Sequence, residues 1–90
     1  MKVTVSVFGP EVTLKQEIVL NGSFLPLQDF FRSLLQRQGE KWGRILKEDA
    51  VLAKGYEVLV NGRNVKSLQG MATEIHEGDE IVFTVLLSGG

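Results

Sequence analysis

Apolar and polar residues alternate at the start of the chain, where Val3, Val5 and Val7 are separated by single residues. This spacing is typical of a strand with one buried face. The alternation recurs over residues 12–20, after a turn signal at Gly9-Pro10. We therefore expect these two strands to pair as an antiparallel β-hairpin.

The apolar spacing becomes helical after residue 23. Apolar side chains then recur at positions i, i+3, i+4, i+7 and i+8, which line one face of a helix; they are Leu27, Phe30, Phe31, Leu34 and Leu35. Pro26 suits the first helical turn and Gly39 suits the stop. The pattern predicts a helix near residues 26–38 whose apolar stripe packs on the sheet.

The segment 40–55 has a weaker pattern. Trp42, Ile45 and Leu46 have helical spacing, but Gly43 lowers helix propensity between them. A short helical turn and a structured loop therefore remain alternatives. We expect Trp42 to anchor this segment in a small satellite core.

Strand signals return in the second half of the chain. Tyr56, Val58 and Val60 alternate and lead into Asn61-Gly62, the strongest two-residue hairpin signal. Residues 63–65 would form the short return strand. After a turn at Gly78-Asp79 comes a last strand with one fully apolar face, made of Ile81, Phe83, Val85 and Leu87.

The order of elements is hairpin, helix, loop, short strands and final strand. Such an order allows the helix to cover one face of a single mixed sheet. We predict an α+β chain with a β-grasp, ubiquitin-like arrangement, in which four or five strands carry one main helix and the final strand lies beside the first. Residues 1–90 would form a single domain. Other α+β topologies fit the same order.

Composition narrows the possible functions. The chain has 90 residues, a net charge of −1 and no cysteine. No strong positive charge points to nucleic acid or a membrane surface as a partner. Without cysteine there can be no disulfide, no thiol nucleophile and no side-chain persulfide. We expect a cytoplasmic protein, since neither a signal peptide nor an apolar run long enough to span a bilayer is present.

Side chains suited to catalysis are scarce. His76 is the single histidine and precedes a turn, where a solvated role is expected. We expect a charged turn at the start of a strand, and not a cation site, for Glu77, Asp79 and Glu80. No phosphate-binding glycine loop and no set of metal ligands is present. We therefore expect no metal site, no bound cofactor and no enzymatic activity of its own.

The end of the chain has the clearest chemical feature. An apolar strand is followed by Ser88, Gly89 and Gly90. A carboxylate is a poor electrophile until it is activated, for example as an acyl adenylate. Glycine lacks a Cβ, so the backbone can enter a narrow active site and bend there. We predict that the α-carboxylate of Gly90 is the reactive group and that Gly89 gives it access.

The parity of the last strand also predicts a docking surface. Val82 and Leu86 point away from the helix-covered face, and we expect them to be partly exposed, together with Phe8 and Leu59. Leu87 and Ser88 would extend this partner-binding surface toward Gly90. Exposed apolar patches usually mark interaction sites. The alternative is that segment 40–55 folds over this surface.

Two segments of the chain, residues 56–65 and residues 78–90, resemble the MoaD/ThiS sulfur-carrier family. Residues 56–65, YEVLVNGRNV, look like the VNGRNV hairpin of the small subunit of molybdopterin synthase and its archaeal modifier relatives. Residues 78–81, GDEI, followed by a strand and then by Gly89-Gly90, are similar to that family's DGDEV … GG ending. The first hairpin and the helix also fall where the family has them.

The resemblance implies a mechanism. A ubiquitin-activating-type adenylyltransferase would use ATP to adenylate Gly90. Sulfur from a persulfide donor would convert the adenylate to a thiocarboxylate. The thiocarboxylate would then pass sulfur to an acceptor synthase, either the large subunit of molybdopterin synthase or thiazole synthase, or to a tRNA-thiolation pathway.

The resemblance leaves the acceptor open. The molybdopterin branch has FPPV before its last residues, whereas this chain has no proline over Thr84-Val85-Leu86-Leu87 and is more similar there to the thiamine branch. The Asn61-Gly62-Arg63 hairpin is more similar to the molybdopterin branch. Two other functions remain alternatives: a protein modifier joined through Gly90 to lysines, and a non-covalent ubiquitin-like module in which Gly90 has no role.

Overall fold

The computed structural model describes residues 1–9, 13–43, 45–47 and 52–85. Within these ranges the strands and helices alternate much as the residue pattern predicts. The strands are β1 Lys2–Phe8, β2 Thr13–Val19, β3 Phe24–Pro26, β4 Tyr56–Val60, β5 Arg63–Asn64, β6 Glu74–His76 and β7 Glu80–Val85. The helices are α1 Leu27–Arg37 and α2 Gly39–Trp42, and 3₁₀ turns cover Val65–Ser67 and Gly70–Ala72.

Five strands form one mixed sheet in the order β2-β1-β7-β4-β5. The first and last strands lie side by side at its centre and are parallel, with Thr4 opposite Glu80 and Phe8 opposite Thr84. The other neighbours are antiparallel. This arrangement confirms the predicted β-grasp architecture, including the place of the final strand beside the first.

Helix α1 covers one face of this sheet, which we call the inner face. Its predicted stripe is correct: Leu27, Phe30, Phe31 and Leu34 are fully buried, and Leu35 is half-buried against the same core. The rings of Phe31 and Phe83 lie 5.3 Å apart between centroids. The sheet contributes the other side of this core through alternate residues of its strands, namely Val3, Val5, Val7, Val58, Val60, Ile81 and Phe83.

The expectation of a satellite core around Trp42 is wrong. Trp42 lies in helix α2, is only 1% exposed, and its ring is 5.6 Å from that of Phe83 in the main core. Ile45 and Leu46 join the same core. A large aromatic side chain gains most from burial where the sheet supplies a broad apolar wall. The segment after α1 therefore adds apolar side chains to the main core on the inner face.

The turn at Asn61-Gly62 has the predicted hairpin geometry. Both residues have positive φ, 51° and 85°, as a type I′ turn requires. The return strand is one residue shorter than predicted, because Val65 is buried and begins a 3₁₀ turn.

A second sheet of two strands was not predicted. Strands β3 and β6 pair antiparallel, with Phe24 opposite His76. His76 therefore ends a strand directly before the turn at residues 77–78, and it is exposed as expected. Its Nε2 lies 3.4 Å from a carboxylate oxygen of Glu74.

Candidate functional site

The outer face of the five-stranded sheet is the face opposite α1. The strand registers place Ser6 opposite Val82 and Val82 opposite Leu59, so these three residues form one row across β1, β7 and β4. The next row contains Phe8, Thr84 and Glu57. Side chains of alternate residues point to the same face, which brings the predicted surface residues Phe8, Leu59 and Val82 together.

These three residues form what we call the outer-face patch. Phe8 is 57% exposed, whereas Leu59 and Val82 are half-buried. Along β1, β7 and β4 they are the apolar members of this face, whose other positions carry Lys2, Thr4, Ser6, Glu57, Glu80 and Thr84; on the outermost strand β2 of the same face, Val19 is exposed as well. An apolar surface with a polar border has the character of a protein-docking site.

A polar cluster borders the patch on β4 and β5. The Nζ of Lys66 lies 2.8 Å from one carboxylate oxygen of Glu57, and the side-chain amide of Asn64 donates to the other at 3.3 Å. The hydrogen bond from Lys66 lowers the pKa of Glu57, with Asn64 adding to the effect and partial burial opposing it. Glu57 is therefore ionised at neutral pH. This cluster was not predicted from the sequence. The available signal was Glu57, the charged residue within the apolar strand β4.

One residue of the patch, Phe8, lies at the edge of the sheet where β7 ends, whereas Leu59 and Val82 lie in the row behind it. Val85, the last residue of β7, is opposite Tyr56, the first residue of β4, and Phe8 ends β1 at the same edge because β1 and β7 are parallel. Five residues follow Val85 in the sequence. The remaining predicted site residues, Leu86, Leu87, Ser88, Gly89 and Gly90, lie outside the described residues.

The described part of segment 40–55 packs on the other face of the sheet. Trp42 contacts Phe83, whose side chain belongs to the inner face, and Ile45 and Leu46 lie in the same core. The half-buried Leu52 packs against that core too. These residues therefore do not cover the outer-face patch, contrary to the alternative raised above.

The acidic residues near the β6–β7 turn serve local structure. Asp79 accepts hydrogen bonds from the Asn61 side chain at 3.0 Å and from the backbone N–H of His76 at 2.8 Å. Glu77 accepts from the backbone N–H of Lys2 at 3.0 Å. Among the residues that the structure describes, no cluster of three or more acidic or histidine side chains could hold a metal ion. The same ranges contain no helix long and apolar enough to cross a bilayer.

Comparisons with known proteins agree with this geometry. The sequence model of the ThiS family matches residues 5–90. A relative from Archaeoglobus fulgidus, provisionally named a sulfur carrier protein, is 31% identical over 74 residues, which cover 82% of this chain and 84% of the relative.

Solved structures show the same fold. The crystal structure of small archaeal modifier protein 1 from Haloferax volcanii superposes with a TM-score of 0.74, at 20% identity and full coverage of both chains. Urm1 from Trypanosoma brucei superposes with a TM-score of 0.60 at 20% identity, covering 99% of this chain and 95% of Urm1. At these identities the likeness establishes the ubiquitin-like fold and nothing further.

Proposed function

This chain belongs to the ThiS family, and from that premise we propose that it carries sulfur as a thiocarboxylate on Gly90. A partner enzyme transfers AMP from ATP to the Gly90 carboxylate and releases pyrophosphate. The terminal sulfur of a persulfide donor then displaces AMP and leaves the chain joined to the donor as an acyl disulfide. A second thiol of the donor attacks the donor sulfur, so that a disulfide forms on the donor and the thiocarboxylate is released. The chain acts as a substrate that other enzymes load and unload, so it has no catalytic site and binds no cofactor of its own.

The observation that supports this proposal most directly is the reach of the family match to residue 90, where the sequence ends in Ser88-Gly89-Gly90. The fold provides a fixed base for that segment. Strand β7 is hydrogen-bonded on both sides, between β1 and β4. Five residues after Val85 can span at most about 17 Å, a suitable length for entering a partner's active site.

We propose that the outer-face patch docks the activating enzyme. Phe8 lies at the edge of the sheet where β7 ends, and Leu59 and Val82 lie in the adjacent row of the same face. A partner bound there holds the chain close to the point where β7 ends, which favours entry of Gly90 into its active site. The partner is a ubiquitin-activating-type adenylyltransferase, and the reaction belongs in the cytoplasm, where ATP is available.

The test is loading in vitro. The protein is incubated with an activating enzyme, ATP and a persulfide donor, and its intact mass is measured. We expect a mass gain equal to the replacement of one oxygen by sulfur. A variant with one residue added after Gly90 should gain nothing, because its carboxylate no longer reaches the α-phosphate. Gly89→Val should load poorly, since a β-branched residue restricts the backbone. Loading of the extended variant at the native rate would contradict the proposal.

The acceptor of the sulfur is tested by complementation. Bacterial strains that lack either the thiamine-branch or the molybdopterin-branch carrier would each receive this chain. Growth of one strain assigns the pathway, and tRNA thiolation is measured in parallel by mass spectrometry of nucleosides. Rescue in any of these assays that persists after removal of Gly90 would contradict the thiocarboxylate route.

A second function uses the same activated carboxyl group. An adenylated Gly90 can also acylate a lysine of another protein and form an isopeptide bond. The modifier named among the structural neighbours motivates this alternative, although that likeness shows only the fold. An immunoblot of cells expressing the tagged chain distinguishes the two, because conjugation gives a ladder of larger species that disappears when Gly90 is deleted.

A further inference from the structure

Strand β2 is one edge of the five-stranded sheet, and its backbone pattern shows which groups face outward. Met1 and Leu20 exchange two backbone hydrogen bonds, of 2.6 and 2.8 Å, across β1 and β2. Bonded and non-bonded pairs alternate in an antiparallel ladder. The N–H and C=O groups of Lys15 and Glu17 therefore point away from β1, and no residue in the described ranges pairs with them.

A cleft runs along this edge on the inner side. It has a volume of about 340 Å³ and separates β2 from the C-terminal parts of α1 and α2. Its lining includes Ile18, Leu34, Trp42, Gln16, Gln38 and Arg37. Successive side chains of an added strand point to opposite faces, so every second side chain of such a strand would enter this cleft.

The border of the cleft is positively charged. A guanidinium nitrogen of Arg37 donates to the outward carbonyl of Val19 at 2.7 Å, which leaves its other N–H groups for a ligand. Lys41 reaches from α2 to the side-chain oxygen of Gln16 at 3.3 Å. The acidic residue of β2, Glu17, is already paired with Lys2 at 2.9 Å. Among the residues that the structure describes, Arg37 and Lys41 therefore have no carboxylate partner at this edge.

We propose that the β2 edge binds an extended peptide in which apolar and acidic residues alternate. The peptide adds a strand to the sheet through the outward backbone groups of Lys15 and Glu17. Its carboxylates point to the cleft side, where Arg37 and Lys41 border the cleft, and its apolar side chains point to the outer side, where Val19 of β2 is 63% exposed. Strand β1 separates β2 from β7, so this site is distinct from the outer-face patch.

The probe is an eight-residue peptide of alternating valine and glutamate, acetylated and amidated, titrated into the ¹⁵N-labelled protein. We expect shifts at Lys15, Glu17 and the Trp42 indole. The amides of Lys15 and Glu17 should exchange more slowly with deuterium on binding, whereas those of Gln16 and Ile18, which face β1, are protected already. The same peptide with lysine in place of glutamate should bind at least about tenfold more weakly.

Two matched variants test the charge requirement. Arg37→Glu should weaken binding about tenfold. Arg32→Glu makes the same change in net charge on the exposed side of the same helix. Arg32 lies beside Asp29 and does not line the cleft, so this variant should bind the peptide as the native chain does. Thermal melts of both variants check that the fold is kept. Equal weakening by both variants would show a non-specific charge effect and overturn the proposal.

Three further results would also overturn it. Shifts centred on Phe8, Leu59 and Val82 would place the peptide on the outer-face patch. Protection of the Lys15 and Glu17 amides that grows with protein concentration, without peptide, would show that a second copy of the chain occupies the edge. An absence of shifts at about 1 mM peptide, the limit of weak binding, would show that the edge does not recruit such a strand.

Discussion

The inner and outer faces of the central sheet are built by neighbouring residues of the same strands, yet they have opposite properties. On β1, Val7 is fully buried under α1, while Phe8, the next residue, is 57% exposed on the outer face. On β7, Phe83 contacts both Phe31 and Trp42, while Val82 is half-buried on the outer face between Ser6 and Leu59. The difference indicates that one face stabilises the fold and the other is available for recognition.

The largest expected effect comes from breaking the inner face. Phe31→Ala removes a fully buried ring in contact with Phe83, and we expect it to lower the free energy of unfolding by about 3–5 kcal/mol. Denaturant unfolding followed by circular dichroism measures the change. A loss of less than about 0.5 kcal/mol, the size of an ordinary surface effect, would contradict the assignment of this face.

A half-buried outer residue should give an intermediate effect. Leu59 lies opposite Val82 in the antiparallel β4–β7 pair, and such cross-strand contacts stabilise a sheet modestly. Leu59→Ala should cost about 1–2 kcal/mol, roughly half the value for a fully buried leucine. The same unfolding experiment applies. A cost equal to that of Phe31→Ala would erase the distinction between the faces.

Phe8→Ala is the matched outer counterpart of Phe31→Ala. It removes the same side chain from an exposed position, so the free energy of unfolding should change by less than about 0.5 kcal/mol. Affinity for the activating enzyme, measured by calorimetry, should fall about tenfold. A variant that is destabilised but binds normally would show that Phe8 serves the fold and not the partner.

The smallest effect concerns the polar cluster beside the patch. Its hydrogen bonds hold the pKa of Glu57 below the ordinary value of 4.5, so the folded state favours the ionised form. This stabilisation is present above pH 4.5 and is lost as the pH falls through the lower pKa of the folded state. Glu57→Gln should therefore melt slightly below the native chain at neutral pH, with the difference vanishing in acid.

Salt provides a control for that prediction. The ammonium group of Lys66 is mostly exposed, and exposed ion pairs are screened by salt. The melting difference between the native chain and Glu57→Gln should shrink in high salt at neutral pH. If the melting difference between the native chain and Glu57→Gln instead grew in acid, the pH effect would have the opposite sign to the prediction, and this would contradict the role assigned to Lys66.

Periodicity predicted the elements whose apolar residues repeat over several turns or strand positions. Strands β1, β2, β4 and β7 and helix α1 were found in this way, and the parity of β7 placed Val82 on the outer face. The paired three-residue strands β3 and β6 escaped notice because three residues are too few to show a period. Phe24, the first residue of β3, is apolar but exposed, so this segment also lacks the alternation of buried apolar and exposed polar residues that marks a strand.

The remaining errors arose from contacts between distant residues. Helix α1 ends at Arg37 with Gln38 as its C-cap, just before Gly39 as predicted, but the sequence pattern did not decide between a helical turn and a loop for the short helix α2 that begins at Gly39. Trp42 was assigned to a satellite core because nothing near it in sequence shows that Phe83 lies beneath it. The Glu57–Lys66 pair was missed for the same reason, since its partners meet only after β4 and the following turn fold back.

The parallel pairing of β1 with β7 has a consequence for synthesis on the ribosome. The two central strands come from opposite ends of the described chain, with Thr4 opposite Glu80. Contacts between such distant segments form late and slow the folding of a domain. During translation β1 must wait, paired on one side only with β2, until residues 80–85 leave the exit tunnel. A nascent chain stalled before Glu80 therefore lacks its central strand, and quality-control factors would encounter an open sheet edge along β1.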